Sequence, residues 1–314
     1  MNRREFTRLG VAAGLALYFG SSQSKANNSS RRSVAITMDD FNWAGNSLKL
    51  TGAEKNRAIL AALKSHSVKA ALFVRGGNVE SDEGLGLLQA WNEAGHLIGN
   101  HSYSHWYYHS GKVTADSFQQ DILRCERVLK NFSGYQKIFR FPYLKEGDTR
   151  EKRDAIRTFL ESNGYRNGHV TIDASDWFVD ERLRKRLTKD PQSDLSPYRR
   201  YYLNHIWERS QYYDELALKV LSRPVKHTLL VHFNLLNALF LGDLITMFKK
   251  RGWRVIDAVE AFADPVFAAR PDIVPAGESL IWALAKETGR FEKLLRYPGE
   301  DSEYEKARMD KLGL

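Results

Sequence analysis

A chain of 314 residues, 43% hydrophobic and 27% charged, has the make-up of a globular protein with a sizeable core, which excludes a disordered or membrane-embedded one. The formal net charge of +9 suits an anionic partner, but no dense Lys/Arg block with interleaved aromatics is present, so a nucleic-acid binder is not expected. The single cysteine, Cys125, excludes an intramolecular disulfide and an all-thiolate zinc site, so a metal here has to be held by histidines and carboxylates.

Residues 1–26 read as an export signal rather than as part of the fold. Arg3 and Arg4 are followed by Phe6, an apolar run from Leu9 to Phe19, and a small-x-small cleavage pattern at Ser24-Lys25-Ala26. The paired arginines point to the twin-arginine route, with a plain Sec signal as the alternative. The apolar run is about half of the roughly 20 residues needed to cross a bilayer, so no stable membrane span is expected. The mature chain is then periplasmic or extracellular.

From Arg31 onward, short β-like runs alternate with helical patterns. Strands are predicted at Ser33–Met38, Lys69–Val74, His96–Gly99, Lys137–Phe139, His169–Ile172, His227–Val231 and Trp253–Ile256. Helices are predicted at Ala53–Lys64, Gly84–Ala94, from a Thr114 cap to about Asn131, at Arg150–Ser162, Leu235–Lys250 and Asp257–Phe262. This alternation predicts a parallel sheet covered by helices, with seven or so units fitting an incomplete α/β barrel better than an open sheet. The first strand is not followed by a Gly-x-Gly-x-x-Gly or Walker pattern, so nucleotide cradling is not expected. The segment 180–223 is basic, tyrosine-rich and long enough for two helices. The tail 263–314 reads as a helical extension rather than a separate domain, leaving 31–262 as the catalytic domain.

The polar clusters fall at the C-terminal ends of the predicted strands, the rim where reacting groups converge in α/β barrels. They are Asp39-Asp40, His101 with His105, Arg140 to Tyr143, Asp173 to Trp177, and His232. His101 and His105 at i,i+4 spacing can share one cation, and one carboxylate completes a three-ligand centre with open positions. Asp39 and Asp40 are adjacent, so an extended backbone turns them to different sides; one can bind metal while the other acts on water. Arg140 is a candidate to orient a carboxylate, or an ordinary loop ion pair. His232 is a candidate proton donor, or a core histidine at a strand end.

In this order the clusters resemble the five motifs of the polysaccharide deacetylase family (NodB-like, carbohydrate esterase family 4), over Ser33 to Phe262. The family's Thr-Phe-Asp-Asp-Gly appears as Thr37-Met38-Asp39-Asp40-Phe41, and His-Ser/Thr-x-x-His is complete at 101–105. Arg-x-Pro-Tyr/Phe-Gly appears as Arg140-Phe141-Pro142-Tyr143-Leu144. Asp-x-x-Asp-Trp is complete at 173–177, and Leu-x-His is Leu230-Val231-His232. The resemblance implies a distorted (β/α)7 barrel and a divalent metal, zinc by expectation, held by Asp40, His101 and His105. It implies Asp39 as general base, oriented by Arg140, and His232 as proton donor, paired with Asp176. It also implies a Tyr143 backbone N–H at the oxyanion and Trp177 and Leu230 around the acetyl group.

The implied substrate is an acetylated polysaccharide, foremost an N-acetylated polymer such as peptidoglycan or a chitin-like chain. The alternatives are an O-acetyl xylan esterase, a catalytically silent carbohydrate-binding protein and a hydrolase of small cyclic amides. The oligomeric state is left open. Phe41 and Leu144 stand where the family has glycine, and their bulk is expected to narrow the groove or change the substrate. The tyrosines of 180–223 either stack on sugar rings or pack two helices together.

Overall fold

Strand β1 (Ser33–Asp40) has an apolar stretch whose side chains are buried on both faces, the pattern of a central parallel strand. It begins the computed structural model's folded body, which describes residues 32–45, 48–296 and 302–314; the export signal read at 1–26 lies outside them. After β1 come α1 (Gly52–Ser65), β2 (Ala71–Val74), α2 (Asp82–Glu93), β3 (Leu97–Asn100), α3 (Ala115–Leu129) and β4 (Tyr135–Phe139). Then follow β5 (Lys145–Gly147), α4 (Arg150–Ser162), β6 (Arg166–Asn167), α5 (Asp176–Lys189), α6 (Ser196–Leu221), β7 (Lys226–His232) and α7 (Leu235–Lys250). The chain ends with β8 (Arg254–Val255), α8 (Ala258–Phe262), β9 (Ala276–Gly277), α9 (Leu280–Glu287) and α10 (Glu303–Leu312). Thr114 caps α3 as predicted, accepting from the Ser117 N–H.

The main sheet runs β6-β4-β3-β2-β1-β7, with β8 on the start of β1, and every pairing in it is parallel. Register aligns the strand ends: Asp39 faces both Phe73 and His232, Asp40 faces Val74, Val74 faces Asn100, and Asn100 faces Phe139. The residues that follow these ends therefore emerge on one rim. This is a distorted, incompletely closed α/β barrel.

The seam departs from the sequence expectation. His169–Ile172 is not a regular strand; β6 lies at 166–167, and Ile172 makes an isolated bridge to Leu229. The Gly168 N–H donates to Phe139 O, while the Gly168 carbonyl accepts from Arg140 Nε at 2.7 Å. The Thr171 and Ile172 N–H groups both reach Thr228 O, and Thr171 Oγ1 accepts from the Thr228 N–H at 2.8 Å. Side-chain hydroxyls thus replace part of the ladder.

Segment 180–223 does hold two helices, and Tyr198, Tyr201, Tyr202 and Tyr213 are buried in the main core. These four rings pack helices and do not stack on sugars. The tail is helical as expected and joins the same core through Leu280, Ile281, Trp282, Met309 and Leu314. Its β9 pairs antiparallel with β5, just past the third motif. Gly277 there has φ +131°, and a Cβ would sit 2.0 Å from the Leu144 carbonyl oxygen, so only glycine fits. Among the described residues, no helix is long and apolar enough to cross a membrane.

Candidate active site and metal centre

Arg140 is buried just beyond the end of β4 and joins three elements. Its Nη1 donates to Asp39 Oδ1 at 2.7 Å and to Thr37 Oγ1 at 2.9 Å, its Nε holds the Gly168 carbonyl, and its plane lies over the Phe73 ring. Burial pulls the guanidinium pKa down and Asp39 opposes that; a guanidinium keeps its charge nonetheless. Asp39 is thereby fixed at the rim with its second oxygen 3.7 Å from His101 Nε2.

Asp40 turns the other way. Its Oδ1 lies 3.4 Å from His101 Nε2 and 3.1 Å from His105 Nε2. One ligand atom from each of Asp40, His101 and His105 lies within 4.8 Å of the others. Burial would raise the Asp40 pKa, but the two imidazoles hold it well below the ordinary carboxylate range. Burial also pushes His105 down, toward the neutral form that ligates metals.

The loop that presents the histidines is built by residues the sequence reading missed. Asp121 Oδ2, on α3, accepts from the N–H groups of Tyr103 and Ser104, and Asn100 Oδ1 accepts from the Ser102 N–H. His105 N–H donates to Ser102 Oγ at 3.0 Å. Asp121 lies in an amphipathic helix pattern, and nothing short of the fold pairs it with residues 103 and 104. Left-handed φ values recur around the site at Asp40 (77°), Phe41 (51°), Ser102 (62°), His105 (61°), Tyr143 (56°) and Leu144 (55°). Such a concentration at non-glycine residues is local strain sustained by the surrounding contacts.

Two observations test the centre's fit to a divalent cation. Asp40 Oδ1 is buried and makes no hydrogen bond of proper geometry despite the two nearby imidazoles. His101 Nδ1 is 2.9 Å from the Arg140 carbonyl, which as acceptor fixes the proton on Nδ1 and leaves the Nε2 lone pair facing Asp40. The donor set fits.

Beside this centre stands His232 at the end of β7. Its Nδ1 donates to Asp176 Oδ1 at 2.7 Å, and its backbone N–H donates to Asp176 Oδ2 at 2.9 Å. Burial acts to lower the His232 pKa, but Asp176, together with Asp40 and Asp39, raises it to about 10. Asn234 and Asn237 both donate to Asp176 Oδ2, at 3.0 and 2.7 Å, holding the carboxylate in place. These asparagines were also missed; Asn234 caps α7, an ordinary role that conceals the second one. Ser175, one residue before Asp176, is fastened in turn: its N–H donates to His205 Nε2 and its Oγ to Glu305 on α10.

A cleft of about 740 Å³ opens against the centre, lined by Asp40, His232, Trp177, Lys55, Asp180 and Phe233 among others. Trp177 is exposed in it, Leu230 is buried, and Tyr143 is exposed with its ring edge-on to His105 at 4.8 Å. Phe41 keeps the left-handed backbone expected of a glycine, but its ring is buried edge-on to Phe233 at 5.0 Å. It therefore does not narrow the groove as its bulk suggested. A second cavity of about 500 Å³ lies at the open edge of the sheet, by Glu146, Arg157 and His169, away from the motif residues.

A parallel, incomplete α/β barrel with an Asp–His–His cluster between an Asp–Arg pair and a His–Asp pair is similar to a polysaccharide deacetylase barrel. Residues 26–167, which hold the first three motifs, match the family model described as polysaccharide deacetylase, and the resemblance is borne out over that span. The chain is 37% identical over 145 residues to a peptidoglycan-N-acetylglucosamine deacetylase of Bacillus cereus, covering 46% of each chain. It is 26% identical over 195 residues to the peptidoglycan-N-acetylmuramic acid deacetylase PdaA of Bacillus subtilis, covering 62% of this chain and 61% of that one. The chain thus spans about half the length of the first curated relatives it matches. The fold is shared with a restored-activity mutant of a carbohydrate esterase family 4 pseudoenzyme from Bacillus anthracis (TM-score 0.50, 22% identity, 74% of this chain and 67% of that one). A Streptococcus mutans esterase of the same family is similar (TM-score 0.50, 18% identity, 72% and 86% covered).

Proposed function

We propose that this protein is an exported, metal-dependent deacetylase that hydrolyses acetyl groups from an N-acetylated sugar polymer of the cell envelope. The observation that supports this most is the convergence of Asp40, His101 and His105, with Asp39 and His232 facing one another across the β1–β7 register.

A divalent cation held by Asp40, His101 and His105, with zinc suited to this donor set, supplies Lewis acidity that activates water and polarises the acetyl carbonyl. Asp39 takes the proton of the attacking water, and Arg140 fixes which oxygen does so. His232 carries its proton on a raised pKa at neutral pH and gives it to the departing nitrogen. Asp176, bonded to Nδ1, leaves Nε2 as the donating atom. The Tyr143 backbone N–H assists at the oxyanion. Trp177 and Leu230 border the acetyl group.

The test is acetate release from peptidoglycan, chitooligosaccharides and acetylxylan, before and after chelation and zinc restoration. Chelation-sensitive release from the N-acetylated substrates is the expected result. Release from acetylxylan alone would make the protein an O-acetyl esterase. Binding without release from any of them would make it a silent carbohydrate-binding protein.

A further inference from the structure

A short stretch at the open edge of the sheet, Tyr165 to Gly168 around β6, belongs to none of the five motifs. It nonetheless fastens both sides of the centre. One hold is the Gly168 carbonyl, which accepts from Arg140 Nε at 2.7 Å. Arg140 in turn fixes Asp39, and its own carbonyl faces His101 Nδ1. The other hold is the Tyr165 hydroxyl, which reaches the histidine loop through Asn100 at the end of β3. The Asn100 side chain is fully buried. Its Oδ1 accepts from the Ser102 N–H at 2.9 Å, and its Nδ2 donates to the Ile122 carbonyl and to Tyr165 Oη, both at 3.0 Å. Ser102 Oγ then accepts from the His105 N–H.

The direction of these bonds is fixed by their ends. The Ile122 carbonyl can only accept and the Ser102 N–H can only donate, so the Asn100 amide fits one way round. The Tyr165 hydroxyl therefore receives a hydrogen bond from Asn100 and passes its own proton to Glu126 Oε2, at 2.9 Å. Glu126, half-buried on α3, is held by Lys137 at 2.9 Å. Tyr135 Oη, 2.6 Å away, takes the remaining lone pair of Tyr165. Burial above all raises the Tyr165 pKa, so the hydroxyl keeps its proton. The loop at the far end needs this support. Ser102 and His105 have left-handed φ values of 62° and 61°, which such residues hold only where surrounding contacts impose them.

We infer that Tyr165 is a positioning residue for the cation: through Asn100 and Ser102 it sets where His105 presents its ring to Asp40. The inference rests on the metal-dependent reading for the identity of what is held. Without the hydroxyl, one Asn100 N–H is left buried and unpaired, and the amide that holds Ser102 is free to turn. The edge of the barrel is thereby part of the metal centre's framework, although Tyr165 is 60 positions from His105 in the sequence.

The test measures zinc affinity by competition with a chromophoric chelator, without substrate, for the parent, Tyr165→Phe and Tyr135→Phe. Urea unfolding of the chelated proteins is measured alongside. Tyr165→Phe deletes the oxygen that Asn100 bonds. Tyr135→Phe deletes a neighbouring hydroxyl and leaves the line from Asn100 through Tyr165 to Glu126 intact. The zinc dissociation constant should rise about tenfold in Tyr165→Phe and stay within about twofold of the parent in Tyr135→Phe. That difference should persist where the two chelated variants unfold at similar urea concentrations, which separates positioning from a general loss of packing. Unchanged zinc affinity in Tyr165→Phe, or an equal loss in both variants, would overturn the inference. A zinc loss specific to Tyr165→Phe, in a protein that releases no acetate from any polymer, supports the inference while refuting the deacetylase reading. Acetate release with zinc affinity indifferent to Tyr165 does the reverse.

Discussion

Asp39 and Asp40 are chemically alike and one residue apart, yet the end of β1 gives them different partners. Asp39 meets a guanidinium and Asp40 meets two imidazoles. Asparagine should therefore act differently at the two positions. Asp39→Asn keeps the shape and removes the proposed base, so kcat should fall about 10²- to 10⁴-fold while zinc content by elemental analysis stays near one per chain. Asp40→Asn removes the anionic ligand, so zinc content should fall together with activity. Equal zinc loss in both variants would show that the two roles are not separate. The His232–Asp176 pair carries a pH prediction. In its proposed role as an acid the histidine makes kcat/KM decline as pH rises through its pKa, which Asp176 helps hold near 10. Asp176→Asn removes a charge that favours the imidazolium, so the alkaline limb should move to lower pH, toward the ordinary histidine value of about 6.5. The same sign governs stability. The folded state keeps a proton that the unfolded chain loses, so the pair's contribution is complete below about pH 6.5 and fades as pH climbs toward 10. A pH–rate profile of the variant superimposable on that of the parent would remove Asp176 from this role. The motif residues were legible because chemistry restricts their type. Asn234, Asn237 and Asp121 were not, because a cap or a helix face accounts for them equally well in one dimension.

Elements show where periodicity suffices as a guide and where it does not. Arg150–Ser162 and Leu235–Lys250 fold over the spans the pattern predicts, because each buries one face of a continuous amphipathic or apolar run. The strand expected at His169–Ile172 dissolves because the Thr171 and Thr228 hydroxyls claim its hydrogen bonds, a competition set across 57 positions of sequence. The tail was legible as helix, but its attachment was not. Glu305, buried on α10, bonds Ser175 Oγ at 3.2 Å and sits within 3.5–3.8 Å of His205, Arg209 and Arg296. Burial raises its pKa, and the neighbouring arginines oppose that. Glu305→Ala strands two partly buried guanidinium groups beside the residue that precedes Asp176. Breaking a buried ion pair in this way costs about 3–5 kcal/mol. Urea unfolding should show a loss of that order, with kcat reduced as the Ser175–Asp176 turn loosens. A stability change under 1 kcal/mol would mean that α10 is an ornament on the barrel and not a brace behind the site.

At the scale of the molecule, the centre depends on three separate pieces of chain arriving together. Asp40 comes from the end of β1, the two histidines from the loop after β3, and the fixing carbonyl of His101 from Arg140 after β4. None of these is near the others in the unfolded chain, so a cation binds the native state and has little hold on the denatured one. Binding and folding are then linked: at a free cation concentration 100 times the dissociation constant, the native state gains about 2.7 kcal/mol. For a chain of 314 residues that is a rise in melting temperature of roughly 4 °C. Zinc should therefore raise the melting temperature of chelated protein by that amount, and EDTA should reverse the shift. His105→Ala should abolish the zinc response, because one imidazole and one carboxylate no longer make a three-ligand site. Asp39→Asn should keep most of it, since Asp39 is assigned to the water and not to the cation. A zinc shift that survives in His105→Ala would place the cation elsewhere on the protein. The deacetylase chemistry assigned to this rim would then lose its electrophile.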